Sequence, residues 1–142
     1  MGRCYNSVVV GASAGRVWET IRDFHQLDWG AGVVTQLDVV GDKGGGEVGA
    51  GRVLNGVFHE TLLSVDNDER SFTYSIDDGP GPVAKDAVSN YIGQVRVLPV
   101  TDTDHAFVEW ESTYVSDDPT AVRDFCDPIY HALLQSLCQH LG

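Results

Sequence analysis

The chain has 142 residues, and its 9 Lys and Arg against 21 Asp and Glu leave a formal net charge of −12. This length suits one domain, which we expect to span residues 1–142, with enough chain to bury a core or a cavity without metal or disulfides. So acidic a surface repels nucleic-acid phosphates and anionic lipid headgroups, which excludes nucleic acid and membranes as the main partners.

The cysteines and the first residues predict a cytoplasmic location. The three cysteines, Cys4, Cys126 and Cys138, cannot all pair and form no C-x-x-C motif. Reduced thiols in a cytoplasmic protein are the simplest interpretation. The N-terminus lacks the apolar stretch of a signal peptide, and no apolar run reaches the roughly 18 residues of a membrane span.

The first elements are predicted to be a strand and a helix. Residues 5–10 are typical of a strand, and apolar residues at helical spacing predict a helix over residues 12–25. Ser13 is the candidate N-cap, because its hydroxyl can accept a hydrogen bond from a free first-turn amide.

Residues 33–115 alternate between apolar and polar with a period of two, which predicts an antiparallel meander. Turn residues interrupt this pattern at residues 41–51, 55–56, 67–68, 77–85 and 101–104. The alternation puts four aromatic side chains on the inner face of the sheet, namely Tyr74, Tyr91, Trp110 and Tyr114.

The C-terminal segment returns to helical spacing. Asp118 is a good N-cap and Pro119 suits the first helical position. The predicted apolar stripe consists of Val122, Phe125, Ile129, Leu133, Leu137 and Leu141. Pro128 lies inside this helix and predicts a kink or a break. So long a helix is expected to cover the inner face of the sheet and to leave volume between the two.

The order of these elements, together with several short motifs, resembles the polyketide cyclase/dehydrase branch of the START-like (SRPBCC) superfamily. The motifs are Val17-Trp18 to Asp23-Phe24, Trp29, residues 49–52 and 60–63, Asp66, residues 74–76, Asn90-Tyr91 and Glu109-Trp110. The resemblance implies an α+β helix-grip fold, in which a curved antiparallel sheet of about seven strands wraps around a long C-terminal helix with an internal cavity.

Within that branch the chain is also similar to lachrymatory-factor-synthase-like proteins, which carry Arg, Glu and Tyr in the cavity. Arg52, Glu60, Tyr74 and Tyr91 match these residues by their positions on the strands. The resemblance therefore implies Arg52 and Glu60 as catalytic residues.

Whether Arg52 and Glu60 share a face depends on the turn at Asn55-Gly56. A two-residue type I′ loop puts the two side chains on opposite faces, whereas a three-residue loop with a bulge pairs them directly. A shared inner face predicts a buried ion pair that binds a polar group or transfers a proton. Opposite faces predict only a solvated pair.

The remaining candidate residues are expected to bind the substrate. Tyr74, Tyr91, Trp110 and Tyr114 line the cavity in this interpretation, because three buried phenols need polar partners; the alternative is plain core packing. Trp29 is expected to close one end of the cavity. The ligand is expected to enter near residues 41–51, a flexible or bulged connection, and residues 77–85, a lid or a surface loop.

No metal or cofactor is expected. Gly44, Gly46 and Gly49 satisfy G-x-G-x-x-G, but a strand and not a helix follows, so the pattern does not indicate a dinucleotide site. The five histidines show no spacing typical of metal ligands.

Two functions remain possible from the sequence. The first is cofactor-free cyclisation, dehydration or isomerisation of a small hydrophobic, oxygenated metabolite, either polyketide-like or an acyl compound. The alternative is a non-catalytic carrier or sensor of such a molecule, since this fold hosts both. A monomer or a homodimer is equally compatible with the sequence.

Overall fold

The computed structural model describes residues 1–142 and has the predicted helix-grip architecture, with a curved seven-stranded sheet around a long C-terminal helix. All neighbouring strands are antiparallel, in the order β1-β7-β6-β5-β4-β3-β2. The elements are β1 (Gly2–Val10), α1 (Ala14–Ile21), β2 (Leu37–Val40), β3 (Gly51–Leu54), β4 (Phe58–Asp66), β5 (Ser71–Asp78), β6 (Val88–Val100), β7 (His105–Ser116) and α2 (Pro119–Leu141). No helix has the length and apolar character needed to cross a bilayer.

Helix α1 has the predicted N-cap, Ser13, but begins two residues later and ends four residues earlier than predicted. The Ser13 hydroxyl accepts a hydrogen bond of 3.2 Å from the Arg16 amide, which caps the first turn. Beyond Ile21 the backbone leaves the helix, because the Asp23 carboxylate accepts from the His25 amide at 2.9 Å. The Phe24 amide then donates to the Gly45 carbonyl at 2.9 Å, which ties this segment to the connection between β2 and β3.

Helix α2 is capped by Asp118, whose carboxylate accepts from the Ala121 amide at 3.1 Å. It runs through Pro128, so the predicted break does not occur. Pro128 and Asp124 are both exposed, which leaves the carbonyl that loses its partner on the solvent side. The buried face also differs from the predicted stripe and consists of Val122, Cys126, Tyr130, Leu133, Leu134 and Leu137.

The β3–β4 hairpin has the three-residue loop of the two alternatives. Arg52 pairs with Glu60 and Leu54 with Phe58, which leaves residues 55–57 as the loop. Asn55 and Gly56 have φ of 53° and 72°. The Asn55 carboxamide oxygen accepts hydrogen bonds of 2.8 and 3.2 Å from the backbone amides of Thr35 and Gln36. This loop therefore puts Arg52 and Glu60 on the same, inner face.

The inner face of the sheet carries the aromatic side chains that the alternation predicted. Tyr74, Tyr91, Trp110 and Tyr114 are all buried and pack in one hydrophobic cluster with α1 and α2. Gly93 lies opposite Tyr74 in the β5–β6 ladder, and the Tyr74 ring occupies the space where a side chain at position 93 would begin. A residue without Cβ is therefore required there.

We expect Gly93→Ala to destabilise the protein by about 1–3 kcal/mol, because the added methyl group must displace the buried Tyr74 ring. Urea unfolding monitored by circular dichroism measures this change. Gly46→Ala is the matched control, since nothing lies within 4 Å of a methyl group at that position. Equal stability of the two variants would contradict the prediction.

Candidate functional site

A narrow cavity lies between the sheet and α2. It encloses about 550 Å³ of atom-free space including its opening, of which about 50 Å³ admits the centre of a water molecule. Its walls are mostly apolar side chains, among them Leu54 and Ile76 from the sheet and Ile129 and Leu133 from α2. The space therefore suits a small and mostly apolar molecule.

Arg52 and Glu60 form a buried ion pair in the cavity wall. The two residues are only 5% and 7% exposed. Arg52 Nε and Nη2 contact the same carboxylate oxygen of Glu60, Oε1, at 2.8 and 2.7 Å. Arg52 Nη1 donates to the Phe24 carbonyl at 3.0 Å, and the guanidinium lies 3.7 Å from the centre of the Phe24 ring. The cation is thus held on several sides.

The second oxygen of Glu60, Oε2, accepts no hydrogen bond from the protein. Glu60 lines the cavity, so this oxygen is available to a ligand. Burial raises the pKa of Glu60, while the charge of Arg52 and its hydrogen bonds oppose this effect. A carboxylate with a raised pKa can take up and return a proton closer to neutral pH than an exposed one.

A chain of hydrogen-bonded aromatic side chains lies next to the ion pair, with the Tyr74 ring centre 5.9 Å from the Arg52 guanidinium carbon. Trp110 Nε1 donates to the Tyr74 hydroxyl at 2.9 Å, and that hydroxyl lies 2.9 Å from the hydroxyl of Tyr130. The Tyr130 hydroxyl also hydrogen-bonds the hydroxyl of Tyr91. Burial raises the pKa of all three phenols, so they remain protonated throughout the physiological pH range.

Tyr130 is the residue that the sequence interpretation missed. The predicted stripe on α2 passed through Ile129 and Leu133, one position away from it. Cys126, Tyr130 and Leu134 are also spaced by four residues, and this second stripe was the available signal. Its only polar aromatic member is the residue that now connects Tyr74 to Tyr91.

Three of the predicted substrate-binding residues lie behind the cavity wall. Tyr91 does not line the cavity, and its ring stacks on that of Tyr114 with 5.5 Å between centroids. The Tyr114 hydroxyl donates to the Pro119 carbonyl at 3.3 Å. Trp29 packs against Trp110, with 6.4 Å between ring centroids. Of the predicted residues, the structure thus brings Arg52, Glu60, Tyr74 and Trp110 together in the cavity.

Neither loop expected at the entrance lines the cavity, which is a correction to the sequence interpretation. Residues 41–51 are tied down instead, since the Gly44 amide donates to the Glu47 carboxylate at 2.9 Å. In residues 77–85, Val83 is completely buried and the Asp78 carboxylate accepts from the Lys85 amide at 3.0 Å. Val33, Val34 and Asn55 contribute to the lining in their place.

The side chains form no candidate metal site, because no group of three or more His, Cys, Asp or Glu side chains is arranged so that it could hold a metal ion. The charged groups of the cavity, Arg52 and Glu60, are already paired with each other.

The family described as "Polyketide cyclase / dehydrase and lipid transport" matches residues 1–142. The chain belongs to this family. A solved structure of a protein from Nitrosospira multiformis is 39% identical, covers 99% of this chain and 96% of its own, and superposes with a TM-score of 0.96. A Thermobifida fusca protein is 25% identical, covers 100% and 94%, and has a TM-score of 0.83.

The fold also occurs in a plant enzyme of known structure. Norcoclaurine synthase from Thalictrum flavum, solved in complex with dopamine and hydroxybenzaldehyde, is 20% identical, covers 96% of this chain and 84% of its own, and has a TM-score of 0.74. At this identity the similarity shows the fold alone. No curated protein matches the chain.

We expect Glu60 to make folding stability depend on pH. Because its pKa is raised, the folded protein keeps a proton that the unfolded chain releases at about pH 4.3. The stability that Glu60 contributes is therefore complete below that pH and is lost as the pH rises through the raised pKa. As the pH rises from 4 to 8, the urea midpoint of Glu60→Gln should therefore fall less than that of the wild type.

The measurement is a series of urea unfolding curves from pH 4 to pH 8 for both proteins. Glu69→Gln, at an exposed position, should follow the wild type. If the curve of Glu60→Gln also runs parallel to the wild type, burial does not raise the pKa of Glu60.

Proposed function

We propose that this chain binds a small hydrophobic, oxygenated molecule in the cavity and catalyses its cyclisation, dehydration or isomerisation without a cofactor. The observation that carries the proposal is the buried pair of Arg52 and Glu60, with Glu60 Oε2 unpartnered in a mostly apolar cavity. Perturbed, buried ionisable groups in a cleft are typical of catalytic sites.

Glu60 is the proposed proton-transfer group. Its free oxygen takes a proton from a carbon next to a carbonyl group, and the C–H electron pair moves into the carbonyl to give an enolate. Glu60 then returns the proton to another carbon in an isomerisation, or to a departing hydroxyl group in a dehydration, which releases water. In a cyclisation the enolate carbon attacks a second carbonyl carbon, the C=O electron pair moves onto that oxygen, and Glu60 returns its proton there to give an alcohol. None of these steps changes the overall oxidation state of the ligand, so no redox cofactor is required.

Arg52 is proposed to orient the carbonyl oxygen and to stabilise the negative charge that develops on it. Its Nε–H donates to Glu60 and one Nη1–H donates to the Phe24 carbonyl, while Nη2 contacts Glu60 as an ion pair, so N–H groups of Nη1 and Nη2 remain for a ligand. A fixed cation in a cavity with little water stabilises such a charge more effectively than one in solvent. Trp110 and the aliphatic side chains provide the apolar wall against the body of the molecule.

A non-catalytic carrier or sensor is the second candidate. The mostly apolar lining supports it, as does the lipid transport named in the family description. The two functions differ in whether the bound molecule is converted.

Native mass spectrometry of the purified protein tests the proposal first. A co-purifying molecule is expected to be neutral, largely apolar and to contain a carbonyl group, either polyketide-like or an acyl compound. The same spectra report whether the chain is a monomer or a homodimer. Incubation of the identified molecule with the protein then separates an enzyme, which converts it, from a carrier, which returns it unchanged.

With a converted substrate in hand, Glu60→Gln is expected to lower kcat by roughly 10²–10⁴-fold and to leave the dissociation constant nearly unchanged, because it removes a positioned proton-transfer group but little volume. Arg52→Ala should weaken both binding and turnover. Steady-state kinetics and calorimetry measure the two effects.

Glu69→Gln serves as the control and should retain full activity, since its side chain is exposed. Wild-type turnover by Glu60→Gln would remove Glu60 from the mechanism.

A further inference from the structure

The side chains of Tyr74, Tyr130 and Tyr91 form a hydrogen-bonded tyrosine chain, and each hydroxyl hydrogen in it has a defined acceptor. At one end stands Trp110, whose indole N–H can only donate. It donates to the Tyr74 oxygen at 2.9 Å, so Tyr74 accepts there. The one hydrogen of Tyr74 is then free to donate to the Tyr130 oxygen, which lies 2.9 Å away.

The contacts of Tyr91, at the other end of the tyrosine chain, require hydrogen-bond donation in the same direction, from Tyr74 through Tyr130 to Tyr91. The single hydrogen of the Tyr91 hydroxyl points towards two acceptors, Ser112 Oγ at 3.0 Å and Cys126 Sγ at 3.4 Å. A phenol carries a single hydrogen, so the Tyr91 oxygen must accept from Tyr130. Tyr130 therefore uses its hydrogen on Tyr91 and accepts from Tyr74.

This direction determines what the wall offers to a ligand. Tyr74 and Tyr130 line the cavity, and each of their oxygens keeps one lone pair but no uncommitted hydrogen. Glu60 Oε2 is likewise an unpartnered acceptor when ionised. The N–H donors that remain for a ligand belong to Arg52, next to Tyr74, and to the Asn55 side chain.

We propose that the two tyrosines of the cavity lining, Tyr74 and Tyr130, select ligands that carry a hydrogen-bond donor. Such a ligand is an alcohol, phenol or enol whose O–H points at one of these two phenol oxygens. Tyr91 is the positioning residue for this selectivity, because its acceptor oxygen holds the Tyr130 hydrogen away from the cavity. The inference rests on the proposed binding of a ligand in the cavity, but not on catalysis.

The probes for a test are 2-naphthol and 2-methoxynaphthalene, two flat molecules that differ in one O–H group. Fluorescence titration gives the two dissociation constants. The wild type is expected to prefer 2-naphthol over the ether by a factor on the order of ten, the equivalent of one hydrogen bond.

Tyr91→Phe is the decisive variant. It removes the acceptor of the Tyr130 hydrogen, which then becomes available to the cavity and can donate to the ether oxygen. Because Tyr91 does not line the cavity, the shape of the binding space stays the same. The preference for 2-naphthol is therefore expected to fall towards one. Tyr5→Phe is the matched control, since Tyr5 lies outside the cavity and its hydroxyl donates to Glu109; it should keep the wild-type ratio.

Tyr130→Phe supplies the same test should Tyr91→Phe fail to fold, because it releases the hydrogen of Tyr74. Equal binding of the two probes by the wild type, tighter binding of the ether, or an unchanged ratio in the folded variant would overturn the proposal. So would the failure of both probes to bind. Each result concerns affinity, whereas the catalytic proposal depends on the turnover of Glu60→Gln, so either can fail without the other.

Discussion

The burial of one ion pair constrains much of this structure. Moving a carboxylate and a guanidinium out of water costs several kcal/mol per ion unless geometry and further hydrogen bonds compensate. Here the three-residue hairpin loop brings Arg52 and Glu60 opposite each other. The segment after α1 supplies the Phe24 carbonyl to the guanidinium and the Phe24 ring beneath it. The early end of α1 and the register of β3 and β4 both serve this pair.

The cavity lining that results has two neighbouring parts of different chemistry. One part holds a cation and an unpartnered carboxylate oxygen, and the other holds the phenols of Tyr74 and Tyr130, whose hydrogens are donated to other phenols. Because the phenols hydrogen-bond to one another, the direction in which each hydroxyl hydrogen points depends on the groups at the two ends of the chain, Trp110 and Ser112. The selectivity of the space is therefore set partly by residues that a ligand never touches.

Most of the fold could be predicted from the sequence because it depends on local patterns. The period-two alternation identified the inner faces of β5, β6 and β7, and the caps Ser13 and Asp118 are where local chemistry places them. The continuity of α2 through Pro128 could not be predicted, since the cost of the lost hydrogen bond depends on whether solvent reaches the Asp124 carbonyl. In the middle of α2 the buried residues are Cys126 and Tyr130 and not the predicted Phe125 and Ile129, because two stripes of similar spacing compete and only packing against the sheet selects one.

The candidate site, like the fold, could be predicted from the sequence only in part. The sequence by itself determined which residues face inwards on β5, β6 and β7, and hence that Tyr74, Tyr91, Trp110 and Tyr114 lie on the inner face of the sheet. Only the tertiary structure decided that Arg52 and Glu60 share that face, because two hairpin loops of opposite parity were compatible with Asn55-Gly56. It also decided that Tyr130 joins the wall while Tyr91, Tyr114 and Trp29 stand behind it. Periodicity gives the side of an element on which a residue lies, whereas depth depends on how the curvature of the sheet and the docking of α2 divide the interior.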